Sequence, residues 1–156
     1  MSTRFRKWLS TWSSKHGDEI RFIDPAGDIA RFVFEKRGLT AAGLPKAKVF
    51  EPQFNRELGR LETSIFGLNH VTEERLWSLG RSIRAKEGLS AVAAVKLPTA
   101  AVENVGLRCE SAPEPDFEEH GVVIGWDSEN KDLRLSMQQS LAAAADASQV
   151  LRPPPP

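Results

Sequence analysis

Between His120 and Asp127 the chain runs through Gly-Val-Val-Ile-Gly-Trp without a charged side chain. The run is too short for a buried helix, it is rich in β-branched residues, and turn-forming and polar residues close it at both ends. It predicts a central strand, around which the rest of the chain has to supply a sheet and a helical layer.

The flanking sequence offers those parts. "LETSIF", residues 61–66, alternates Leu61, Thr63 and Ile65 with Glu62, Ser64 and Phe66 and reads as a half-buried strand. "VTEERLWSLGRSIRAK" reads as a helix. Thr72 is its N-cap, Glu73 and Glu74 lie where the helix dipole favours negative charge, Leu76, Leu79 and Ile83 share one face, and Gly88 is the stop. "AVAAV", "PTAAVENV" and "LRCE" read as strand, short helix and strand, which suggests a compact parallel crossover. A last helix starts near Asp127 or Ser128, with Leu133, Met137, Leu141 and Ala145 along its inner side. Nearer the N-terminus, "IRFID" and "ARFVF" around "PAGD" form a β-hairpin on this reading, and "KAKVF" a strand ended by Pro52.

These elements predict an α+β fold: one domain over 17–151, with a mixed sheet and helices covering mainly one face. A length of 156 residues suits a single core. Residues 1–16 precede the domain as an amphipathic helix in which Phe5, Trp8, Leu9 and Trp12 form a stripe between Arg4, Arg6, Lys7 and Lys15. That stripe packs on the domain itself, docks on a partner through Arg4, Lys7, Trp8 and Trp12, or lies on an anionic membrane. Residues 152–156, Arg-Pro-Pro-Pro-Pro, form a flexible tail on this reading.

"ETSIF", the helix containing "LWSLG", the unit ending in "GLRC", and a histidine four residues ahead of "GW" together resemble a group of short bacterial proteins of unassigned function. The matched positions cover well under half the chain, and the sequence departs between Gly88 and Val95, where those proteins carry a more polar stretch. The resemblance implies a bacterial cytoplasmic domain and no mechanism.

Composition excludes several function classes. Lysine plus arginine equal aspartate plus glutamate at 21 each, so no global field draws the chain to nucleic acid. One cysteine, Cys109, allows no internal disulfide and fits a reducing, cytoplasmic setting; it reads as a small core hydrophobe. No apolar stretch approaches the ~20 residues of a membrane span, and the N-terminus lacks a signal-peptide core. The three histidines are too scattered for a zinc motif, no glycine-rich phosphate loop occurs, and no elbow glycines flank Ser64. No metal or cofactor is expected.

His120, at the mouth of the central strand, is the candidate proton-transfer residue, with Glu62, Glu118 or Glu119 to orient it. The plainer reading has its ring capping the strand by a hydrogen bond to a loop carbonyl. At the other mouth Asp127 caps the last helix and occupies the donors an anion would need. The leading expectation is a protein-interaction or accessory module without catalysis of its own. The alternative is a small hydrolase or transferase using His120, Glu62 and Glu119, with Thr63 and Ser64 as polar partners. A weaker one is nucleic-acid binding through the basic, tryptophan-bearing N-terminus.

Overall fold

The computed structural model describes residues 21–156; the stripe of residues 4–12 and His16 lie outside them. Seven strands, β1 (Asp28–Val33), β2 (Gln53–Asn55), β3 (Arg60–Gly67), β4 (Ala93–Pro98), β5 (Arg108–Ser111), β6 (His120–Ile124) and β7 (Val150–Leu151), form one sheet. Its order is β5-β6-β3-β1-β4-β7, with β2 hairpinned onto β3. Among the described residues three helices accompany it: α1 (Glu73–Ser82), α2 (Thr99–Asn104) and α3 (Lys131–Ala144). Among the described residues no helix is long and apolar enough to cross a membrane.

The α+β class holds, and "GVVIGW" supplies an interior strand in which all five residues of β6 are buried. The expected mixed sheet is instead antiparallel at every pairing. The parallel crossover does not close, because β1 and β7 already occupy both edges of β4 while β5 pairs with β6. The helix α2 therefore carries the chain across the sheet rather than to a neighbouring strand.

Strand alternation sorts the core into two faces. Ile29, Ile65, Val95, Leu97 and Val123 pack with Val102 of α2, Leu141 of α3, Phe50 and Trp126. Ala30, Phe32, Phe66 and Ala94 face the other way and pack with Leu76, Trp77 and Leu79 of α1. Two of the three described helices, α2 and α3, thus cover one face and α1 the other. Burial of a residue such as Leu141, 1% exposed, contributes about 2 kcal/mol.

The helix α1 starts as its sequence dictates: Thr72 Oγ1 accepts from Arg75 N at 3.1 Å, and Gly88 sits left-handed beyond a short 3-10 turn. The helix α3 starts later than expected. Its cap is Asn130, which accepts from Leu133 N at 3.0 Å, while Asp127 Oδ1 holds Glu129 N at 2.9 Å and Asn130 N at 2.7 Å. Those backbone bonds keep the Asp127 carboxyl below its ordinary range. Leu133 is 40% exposed, so the first turn overhangs the core, and Gln138 takes an inner position by donating to Ala47 O at 3.2 Å.

Two short segments depart from the expected strands. Residues 21–23 form no hairpin with β1, whose edges are taken by β3 and β4; they cross β3 and β6 instead. Asn69 holds them through Phe22 O at 3.1 Å and Arg21 O at 2.7 Å. Only glycine permits that crossing, since a Cβ on Gly67 would fall 2.2 Å from Phe22 O and one on Gly121 2.2 Å from Ile23 Cδ1. "KAKVF" forms a 3-10 turn, Ala47–Phe50, because side chains claim its carbonyls: Arg31 bonds Val49 O and Thr63 bonds Phe50 O. The proline tail is exposed from 152 to 156, and Pro153–Pro156 line a cavity of about 300 Å³ beside Trp77 and Arg81 of α1.

Candidate functional site

Ser64 sits on the interior strand β3, yet it is exposed. The face that α1 covers over β1 and β4 is open over β3, β6 and β5, and a trough occupies the opening. Its main cleft, about 490 Å³, has Glu62, Ser64, Val122 and His120 in its floor, Glu110 at one side, and the β2–β3 hairpin and the 112–114 loop among its walls. Ser64, Glu114 and His120 also line a second cavity of about 250 Å³ toward α1. Phe54 and Leu58, 60% and 45% exposed, stand on the hairpin at the cleft.

The structure brings His120 and Glu62 into this one cleft but not into contact. His120 faces Phe66 across the β3–β6 pairing, so Glu62 is four residues, or ~13 Å, farther along β3. Glu62 is engaged by Asn55 Nδ2 and by Arg60 Nη2 at 3.2 Å. Glu119 turns away to Arg75 of α1, with oxygens 2.8 and 3.1 Å from Nε and Nη2, and that bond raises the Arg75 pKa. Thr63 points to the opposite face and donates to Phe50 O at 3.0 Å. The four residues grouped with His120 as a polar constellation therefore serve separate structural ends, apart from Ser64.

His120 itself is 8% exposed and stacks edge to face on Phe66. Its Nδ1 lies 2.8 Å from Ala112 O, and since a carbonyl only accepts, Nδ1 carries the proton and Nε2 the lone pair of the neutral ring. The loop carbonyl of the plainer reading is thus present. A carboxylate oxygen 3.5 Å from Nδ1 belongs to Glu114, which the sequence did not single out. Its only local signal is Pro113 and Pro115 on either side; the loop is closed by paired backbone bonds between Glu114 and Phe117 at 2.9 and 3.1 Å.

Charges in the main cleft are arranged around Arg60, whose Nη2 reaches Glu62 at 3.2 Å and Glu110 at 3.4 Å. Its Nε is buried without a hydrogen-bond acceptor among the described residues. With Glu57 and Glu114, four carboxylates and one guanidinium line the cleft, and the cleft is acidic. Cys109 lies outside it. Burial, then Glu103, pushes the thiol up to about 11, so at neutral pH it is no nucleophile. Trp126, at the far end of β6, is a core residue whose indole donates to Val123 O at 3.1 Å. Among the described residues no three His, Cys, Asp or Glu side chains gather as a metal site requires. No family model, no curated protein and no solved structure matches the chain, so the site is read from its own geometry.

Proposed function

We propose that the domain is a non-catalytic binding module and that the open half of its sheet takes a segment of a protein partner carrying cationic and apolar side chains. The observation that carries this reading is the pairing of an acidic floor with an apolar rim. Glu62, Glu110 and Glu114 outnumber Arg60, and Phe54 and Leu58 are presented to water beside them. A lysine or arginine of the partner complements the floor, and its apolar neighbours cover the hairpin side chains. The engagement of Glu62 and Glu119 by arginines supports binding over chemistry.

The test uses a fluorescein-labelled nonapeptide alternating Lys or Arg with Leu or Phe, and a twin with Glu in place of each cation. The cationic peptide binds saturably, the acidic twin does not, and Glu110→Lys with Glu114→Lys weakens binding at least tenfold, about 1.4 kcal/mol. Equal binding of the two peptides, or no effect of the double substitution, contradicts the reading.

One observation favours the enzymatic alternative, in which His120 is an acid or base: its tautomer is fixed, with Nε2 left as the basic nitrogen of a ring lining the cleft. On that reading His120→Gln abolishes turnover of a substrate but not its binding.

A further inference from the structure

The end of the trough farthest from Glu62 has the opposite charge. Arg31 is half-buried on the interior strand β1, where β1 and β3 part after the Ala30–Phe66 pair. Its Nε donates to Val49 O at 2.8 Å and its Nη1 to Ser64 O at 2.9 Å. Both acceptors are neutral, so these bonds hold the guanidinium plane in place without cancelling its charge. No ion pair of Arg31 with an acid is present among the described residues, and Glu114 is the one carboxylate that lines the inner cavity with it; burial, then the nearby guanidinium of Arg84, lowers its pKa to about 10. A cation held this low in a sheet beside a second cation is costly unless an anion joins them.

Both arginines line the 250 Å³ cavity and also an adjoining one of about 140 Å³, to which Lys48 and Arg37 add further cations. Glu35, on the outer cavity, is taken by Arg37, and Glu87, at the surface, occupies Nε and Nη2 of Arg84, so a ligand anion competes with it there. Phe32 and Phe34 line both cavities; Phe66 and Phe117 line the inner one. We infer that the junction of the two cavities binds an oxyanion, a carboxylate or a phosphate, carried on an aromatic body: Arg31 and Arg84 take the anion and the phenylalanines its ring. A guanidinium binds either oxyanion, Arg31 through the Nη2 that its two carbonyl bonds leave over, and rings that meet edge to face here extend to one more. The inner cavity shares Ser64, Glu114 and His120 with the main cleft, but Arg31, Arg84 and these phenylalanines do not line that cleft.

The experiment titrates benzoate, phenyl phosphate, inorganic phosphate and benzamide into the full chain and follows backbone amide shifts. Benzoate and phenyl phosphate saturate shifts at Arg31, Phe34 and Arg84, while the uncharged benzamide does not. Arg84→Gln, a change at a surface ion pair, weakens benzoate about tenfold, as loss of a charge-assisted bond predicts. Arg31→Lys, which keeps the charge and loses the fork, weakens it by less, and Lys131→Gln on α3 leaves it unchanged. Benzamide binding as tightly as benzoate, unaltered benzoate affinity in Arg84→Gln, or no saturation by either aromatic anion overturns the site. Inorganic phosphate binding as tightly as phenyl phosphate overturns the aromatic part of it.

Discussion

Phe66 of β3 lies directly opposite His120 of β6, and their rings meet edge to face with centroids 5.4 Å apart. The pair marks a border. On one side Phe66 joins Phe32, Leu76 and Leu79 in the core beneath α1; on the other His120 lines the open trough. His120 thus holds the 112–114 loop to the sheet through Ala112 O. Replacing it by Leu keeps the ring contact apolar but removes the bond, and should lower stability by about 1 kcal/mol while leaving peptide binding in place. Urea unfolding alongside peptide titration checks both halves of that expectation.

The crossing of residues 21–23 over the sheet depends on the missing side chain at Gly67. A methyl group there meets the Phe22 carbonyl, which belongs to the backbone and cannot swing aside. Gly67→Ala should cost about 1–3 kcal/mol through forced displacement of that segment. Thermal unfolding reads the loss, and proteolysis near Arg21 should speed up with it.

Cys109 gives a pH-dependent readout of the same packing. Its pKa rises from 9.0 to about 11, chiefly through burial. Because the folded state disfavours the thiolate, alkylation by iodoacetamide should stay slow through pH 9 and reach half its limiting rate near pH 11. The folded-state advantage of the neutral thiol is present below pH 9 and fades as the pH rises toward 11. A rate profile centred near 9 would place the sulfur in water and contradict the burial.

Local pattern made α1, β4, β6 and the start of β3 legible, since each announces itself within a few residues: the Thr72 cap with its acidic first turn, or the unbroken apolar runs at 93–95 and 121–124. What stayed hidden depends on pairings distant in sequence. "KAKVF" has the composition of a strand, but Arg31, Thr63 and Gln138 take its carbonyls. The sense of the sheet followed from which edges of β4 were occupied, and the division of helices between two faces followed from it. For the site, His120 and Glu62 were legible as residues near one opening, while their separation was not, because it depends on the β3–β6 register. Glu114 and Arg31 carried little sequence signal: one is marked only by the prolines on either side of it, and the other reads as an ordinary outward residue of a strand.

The central claim is that the open half of the sheet is a binding surface for a cationic, apolar segment. Its most direct test is a map of backbone amide shifts as the unlabelled Lys/Arg–Leu/Phe nonapeptide is added to the isotope-labelled chain. The account predicts saturating shifts at Phe54, Leu58, Ser64, Glu110 and Val122, with Lys131–Ala144 on the opposite face unmoved. Shifts concentrated on Lys131–Ala144, or none that saturate along the trough, would contradict it.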